Sequence, residues 1–337
     1  MRLLVVIPTL ALIALCAGNA VPLIPGDNSD YVEGVSRYFW MPDGDGKPLL
    51  VDTQAEVDYD FLATKNGANN QYWLYTRNNR NNQQVLRNND IDSVRNSNYV
   101  ASRPLVVIAH GWQNNGNSGL NSAITGAVLD NMDCNVIVLD WGGVAGNANY
   151  YTAAAGVPSV GQYLGNFLTW LINNAGGNWN NVHLVGHSLG AHVVGMAGRT
   201  TGSRPARVTG LDPARPSWEN NGQALNRNDG QYVEVIHTDA NLLGLFPPIG
   251  DADFYPNGGS NPQPGCAVWD SPCSHGRAHE FFASSVRTNH FIGVGCPNQW
   301  EANLGTCNGN RFNMGNNILT KRGSGIFHLR TGSSWPF

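Results

Sequence analysis

One serine stands where the residue types and spacing most directly suggest chemistry. Gly186-His187-Ser188-Leu189-Gly190 is the chain's only match to Gly-x-Ser-x-Gly, the pattern of a nucleophile carried on a sharp strand-to-helix turn. A serine at such a turn adopts a strained backbone, and glycine on either side lets strand and helix pack closely. The pentapeptide alone is a weak signal, but its flanks strengthen it. The apolar run Val182-His183-Leu184-Val185 precedes it, and Ala191-His192-Val193-Val194-Gly195-Met196-Ala197 follows with the composition of a helix. The implied chemistry is acyl transfer through a covalent seryl intermediate.

Such a serine needs a general base, and the base needs an acid to orient it. With this kind of nucleophile they follow in chain order, acid and then histidine. Asp212, in Gly210-Leu211-Asp212-Pro213-Ala214, sits at the C-terminal end of an expected strand, where the sites of open α/β sheets gather. Asp239, after the next strand, is its rival, and a helix-capping aspartate is the plainer alternative. The candidate bases after Asp212 are His237, His275, His279, His290 and His328. A bridge between Cys266 and Cys273 would hold His275 in place. His279 fits a helix with Phe281 and Phe282 as a surface or packing residue, and His237 ends a strand as a structural histidine would. An oxyanion hole calls for two backbone N–H groups. Leu189 supplies one, and Trp112, in Ile108-Ala109-His110-Gly111-Trp112, is the candidate for the other.

These residues need a rigid frame, and the pattern from residue 70 onward is α/β. Gln71–Thr76 alternates like a strand. Pro104–Ala109, Asn135–Asp140 and Val182–Val185 are short apolar runs bounded by turn residues, suited to strands buried on both faces of a mostly parallel sheet. Arg207–Leu211 and Tyr232–Ile236 continue the series. Ser159-Val160-Gly161-Gln162 reads as a capping box opening a helix whose apolar face is Val160, Tyr163, Leu164, Phe167, Leu168 and Leu171. Strands alternating with helices predict one doubly wound domain with helices on both faces of a mostly parallel sheet. The Asn-rich stretch from Asn78 to Asn98 reads as a long surface loop.

The compartment is read from the first residues. Met1-Arg2, the apolar Leu3–Leu15 and the small residues Cys16–Ala20 have the form of a secretory signal peptide, with Ala20 the last residue removed. Residues 21–37 read as an N-terminal leader, or as a propeptide if a trypsin-like protease cuts after Arg37. Apart from Cys16 the cysteines are Cys134, Cys266, Cys273, Cys296 and Cys307. The last four form two close-spaced pairs, which suits disulfides made in an oxidising compartment, and Cys134 reads as a buried thiol. Only 13% of residues are charged, which argues against disorder and against a nucleic-acid partner. Three Lys stand against seventeen Arg, which keeps positive charge in a strongly alkaline medium such as some gut fluids. No Asn-x-Ser/Thr sequon occurs.

From about Trp40 to the C-terminus the chain resembles the pancreatic lipase family, specifically its insect secreted members, which implies the α/β-hydrolase fold. The resemblance rests on His110-Gly111-Trp112, Val138-Leu139-Asp140-Trp141, Gly186–His192 and Thr209–Ala214, then on Val235–Asp239, Asp253–Gly259 and Cys273-Ser274-His275. It implies Ser188, Asp212 and His275 as the triad, within a lipase domain at residues 38–337. Two departures carry information. Only Ala267–Pro272 separates Cys266 from Cys273, where triacylglycerol lipases of the family carry a long lid, and the segment between Asp239 and Asp253 is also short. Family members cropped at both places tend to be phospholipases A1 or galactolipases. The family's structural calcium loop is also altered. Asp229 remains, but Asn226 stands where an acid is expected, so weak calcium binding or none is implied.

The expectation is therefore a secreted, extracellular serine esterase acting without a cofactor or metal on fatty-acyl esters at a membrane, micelle or emulsion surface. It is expected to be a monomer, without the C-terminal β-sandwich that binds colipase and so without a colipase partner. Triacylglycerol hydrolysis in a gut lumen is the alternative, and a non-catalytic, yolk-type lipid-binding protein is the reading from another class. Trp112, Trp269 and Leu243-Gly244-Leu245-Phe246 are candidates for an interfacial apolar patch.

Overall fold

The computed structural model describes residues 20–337, so the expected signal segment lies outside the described residues except for Ala20. Strands β1 (Tyr38–Pro42) and β2 (Pro48–Asp52) pair as an antiparallel hairpin. The remaining strands build an 11-stranded sheet. They are β3 (Gln71–Tyr75), β4 (Gln84–Leu86), β5 (Leu105–Ala109), β6 (Asn135–Asp140), β7 (Val182–His187) and β8 (Arg207–Leu211), followed by β9 (Val233–Ile236), β10 (Ala252–Pro256), β11 (Ile292–Cys296), β12 (Arg311–Asn313) and β13 (Gly325–Leu329). Their spatial order is β12-β11-β13-β10-β9-β8-β7-β5-β6-β3-β4.

From β6 to β13 in that order every pairing is parallel, while β3–β4 and β11–β12 close the two edges with antiparallel partners. The central strands β5, β7, β8, β9 and β10 are buried along their whole length, which explains their largely apolar sequences; β8 and β9 bury Arg207 and Glu234 as an ion pair at 3.0 Å. Four long helices cover the faces: α1 (Gly119–Asn131), α2 (Tyr150–Ala175), α3 (Leu189–Thr200) and α4 (Ser271–Thr288). Helices α2 and α3 pack together over one apolar core, and α1 and α4 over a second. This is the doubly wound α/β-hydrolase fold. Among the described residues no helix is long and apolar enough to cross a membrane.

Two local expectations are corrected. Ser159 caps nothing. Helix α2 starts ten residues earlier than that cap implies, at Tyr150, capped by the Asn149 side chain, and runs through Pro158. The hydroxyl of Ser159 instead accepts a hydrogen bond from the Gly67 N–H, 3.1 Å away. The stretch from Asn78 to Asn98 is not one loop but holds a 3-10 turn ending at Asn79, strand β4 and a short helix, Ile91–Arg95, capped by Asp90. Residues 21–37 are irregular and touch the hairpin at two points: the Asn28 amide donates to the Trp40 carbonyl and accepts from its N–H, and the Tyr31 ring sits 4.8 Å from Phe39.

Candidate active site

Strand register sets the first half of the site. Ala109 pairs with Gly186 and His187 with Leu211, so β5, β7 and β8 end level. The 110–112 loop, Ser188 and Asp212 therefore leave the sheet at one edge, outside the carboxyl ends of parallel strands. The turn from β7 into α3 holds Ser188 at φ 57°, a sterically costly conformation for a residue with a Cβ. It survives because the surroundings over-determine it. The Ser188 N–H donates to the Leu211 carbonyl at 3.0 Å, and its own carbonyl accepts from Ala191 at 3.1 Å. The flanking glycines permit the close approach: a Cβ on Gly186 would lie 2.1 Å from the Gly190 carbonyl oxygen, and one on Gly190 2.2 Å from that of Ala109.

The loop after β5 crosses over this turn, where a Cβ on Gly111 would lie 3.0 Å from that of Ser188. Among the described residues no hydrogen bond engages the backbone N–H of Trp112 or Leu189, so both donors are free. The loop is pinned from behind. Trp141 donates from its indole to the His110 carbonyl at 2.9 Å and stacks on the His110 ring, while the Trp112 indole donates to the Asn147 carbonyl at 2.8 Å. Two quoted motifs, His110-Gly111-Trp112 and Leu139-Asp140-Trp141, thus form one unit. Trp112 itself is buried, as are Leu243, Leu245 and Phe246. Of the expected apolar patch, only Trp269 is exposed, beside Val268.

The second half of the site is held by side chains. Asp212 Oδ1 accepts from the N–H groups of Thr238 (2.7 Å) and Asp239 (3.1 Å), and Oδ2 accepts from His275 Nδ1 at 2.5 Å. With Nδ1 donating, Nε2 of His275 is the acceptor; it is buried and has no partner among the described residues, so it makes no hydrogen bond with Ser188 Oγ. His275 lies in the second turn of α4, whose start is fixed by the Asp270 cap on the Cys273 N–H and by the Cys266–Cys273 disulfide. The second disulfide joins Cys296 to Cys307, and Cys134 is buried and free, its thiol pushed up to about 12 by burial.

The rival acid is close but differently engaged. Asp239 Oδ2 accepts from the Ser271 hydroxyl (2.5 Å) and the Leu243 N–H (3.1 Å), and no bond links it to His275. Burial and the neighbouring Asp212 charge push its carboxyl well above the usual carboxylate range. The ligand atoms of Asp212, Asp239 and His275 fall within 4.8 Å of one another. Nδ1 of His275 is already committed to Asp212, so the group is an acid–base pair with a second acid beside it.

The other histidines separate cleanly. His237 bridges the Leu245 carbonyl and Asp253, His328 binds the Ala302 carbonyl, and His290 lies near Thr288 at the end of α4. His192 Nε2 donates to the Ala214 carbonyl while Nδ1 accepts from the Leu225 N–H, and burial holds the ring down to about 3. Sequence reasoning missed His187. Its Nε2 donates to the His275 carbonyl at 3.0 Å, its ring lies 4.7 Å from that of His275, and His279 packs on its other side. Burial and those two neighbours hold His187 well below the ordinary histidine range, so it is neutral. Its place immediately before Ser188 was the only available signal.

The fold, the strained serine turn and the acid–histidine pair define an α/β-hydrolase-type chain. A family profile described as Lipase matches residues 43–337. Bovine pancreatic lipase-related protein 2 is 33% identical over 262 residues, covering 70% of this chain and 55% of that protein. Mouse pancreatic triacylglycerol lipase is 33% identical over 254 residues, covering 68% and 54%. Phospholipase A1 of Polybia paulista is 34% identical over 235 residues, covering 64% and 71%. The chain spans about half the length of the pancreatic relatives. It belongs to the pancreatic lipase family.

Proposed function

We propose that the protein is a secreted serine esterase that hydrolyses fatty-acyl esters of polar lipids, in the manner of a phospholipase A1 or galactolipase. The observation that carries this reading is His275 oriented by Asp212 at the strand edge that also bears Ser188, beneath two unengaged N–H groups. His275 Nε2 takes the Ser188 proton as Oγ attacks the ester carbonyl, and Asp212 stabilises the imidazolium that forms. The N–H groups of Trp112 and Leu189 receive the oxyanion, where losing one such donor typically costs about 10²–10³ in rate. The alcohol leaves with the proton from His275, and water then releases the fatty acid from the acyl-enzyme.

The preference for polar lipids rests on the short segment between Cys266 and Cys273. In the resemblance to the family, a small lid goes with entry of lipids whose polar head groups need not be stripped first. Two disulfides and the form of residues 1–20 support secretion. The test compares fatty-acid release from phosphatidylcholine vesicles and from a triolein emulsion, with Ser188→Ala as the blank. Faster serine-dependent release from phosphatidylcholine is expected. Faster release from triolein would replace this reading with a triacylglycerol lipase, the activity named for the mouse relative. No serine-dependent release from either, or from galactolipid, would leave a lipid-binding protein.

A further inference from the structure

The resemblance to the family brings a calcium loop with it, and residues 224–229 do not fit that ion. Calcium takes about six to eight oxygen ligands. Here the side-chain oxygens of Asn226 and Asp229, and the Ala224 carbonyl, are already engaged. Arg199 Nε donates to Asp229 Oδ1 at 2.9 Å, and Nη2 donates to Asp229 Oδ2 at 3.1 Å and to the Ala224 carbonyl at 3.0 Å. The remaining contacts come from within the loop. The Asn226 N–H donates to Asp229 Oδ2 at 2.9 Å, its side-chain amide donates to the Ala224 carbonyl at 3.2 Å, and its Oδ1 accepts from the Asn228 N–H at 3.0 Å.

We propose that the Arg199 guanidinium stands in this loop as a tethered cation in place of a calcium ion, making the fold calcium-independent. The chemistry fits the exchange. Asp229 is fully buried, so its carboxylate requires a positive partner, and a planar fork satisfies both of its oxygens at once. The third donation, to the Ala224 carbonyl, gathers the loop around the charge as oxygen ligands gather around a metal. Asn226 completes the substitution. An acid there would add a second negative charge, whereas the amide supplies a donor to the carbonyl that Arg199 also binds.

The arrangement matters to the site because Arg199 projects from α3, the helix that begins beside Ser188. Glycines let the loop press onto that helix: a Cβ on Gly195 would lie 2.8 Å from Asp229 Oδ2, and one on Gly198 1.9 Å from the Asp229 carbonyl oxygen. The same loop is tied to α3 a second time by the Leu225 N–H, which donates to His192 Nδ1. The cation therefore fastens the segment that follows Asp212 to the helix that follows Ser188.

The test measures calcium binding by calorimetry, and thermal unfolding in calcium and in chelator, for the full chain and two variants. The unaltered protein is expected to show no calcium heat and the same Tm in both media. Arg199→Ala leaves a buried carboxylate unpaired and should lower Tm by about 10 °C. Arg199→Ala/Asn226→Asp restores an acidic, cation-free loop and should bind calcium, with a Tm that rises with calcium and recovers at least half of the loss. Arg199→Lys, which keeps the charge but loses the fork, should fall between the native protein and Arg199→Ala, and substitutes if the latter does not fold. Calcium binding by the unaltered protein with a raised Tm would overturn the proposal. So would an unchanged Tm in Arg199→Ala, or a folded double variant indifferent to calcium. These readouts are independent of whether the chain hydrolyses lipid.

Discussion

The two halves of the site are held by opposite means. Ser188 is placed by backbone: a level strand register, main-chain hydrogen bonds, and glycines that let β7, α3 and the 110–112 loop nearly touch. His275 is placed by side chains and a covalent staple: the Asp212 carboxylate, the Asp270 cap, the Cys266–Cys273 bridge and the His187 ring. Backbone placement tolerates no added atom, whereas side-chain placement tolerates isosteric exchange at the expense of chemistry. The Ser188 side should therefore fail by losing structure, and the His275 side by losing rate.

The largest effect is expected from Gly190→Ala. Its Cβ would meet two backbone carbonyls, of Ala109 at 2.2 Å and of His110 at 2.4 Å, neither of which can rotate away. A loss of about 3 kcal/mol or more in urea unfolding is expected, together with esterase activity. Native-like stability in this variant would show that the turn is softer than its contacts indicate. Asp212→Asn should behave in the contrary way, retaining its unfolding midpoint to within a small shift while kcat falls about 10⁴-fold, because the amide favours the wrong histidine tautomer. If Asp212→Asn unfolded the protein instead, the distinction between the halves would collapse.

His187 joins the halves, since it precedes Ser188 in the chain and donates to the His275 carbonyl. His187→Leu is expected to lower kcat about 10-fold with KM unchanged, roughly one hydrogen bond's worth of positioning. His187→Gln, which keeps a donor, should recover most of that loss. Equal defects in both variants would assign His187 to packing alone.

The same contrast explains what could be read in advance. The nucleophile turn was legible because its determinants, an apolar strand, two glycines and a helix start, are contiguous in the chain. The main parallel strands were legible too, since burial on both faces makes them largely apolar, even though β8 and β9 bury Arg207 and Glu234 as an ion pair. Choosing among the histidines after Asp212 was not possible from local pattern, because His275 is selected by contacts 63 residues away in sequence. It came from the family resemblance. Pro158 disguised α2, since a proline normally marks a boundary and here lies within the helix. Strand β12 at the sheet edge and its neighbour β11 are partly exposed with weak apolar patterning, and Leu243–Phe246 looks the same whether it faces solvent or packs inward. The role of Arg199 was invisible because it depends on a loop 25 to 30 residues further along the chain.

The packed leader bears on how the chain meets proteases. Cleavage after Arg37 would require its side chain in a specificity pocket and its carbonyl in a protease's own oxyanion hole, with the chain extended between them. In the folded protein that guanidinium is paired with Asp52 at 2.9 Å, and that carbonyl accepts from the Thr53 N–H at 2.7 Å. The peptide bond is also the entry to a strand in which Tyr38 pairs with Asp52. Nicking at this position therefore requires the hairpin to open, and where opening and closing outpace cleavage its rate at a fixed protease concentration reports the opening equilibrium of the amino-terminal segment.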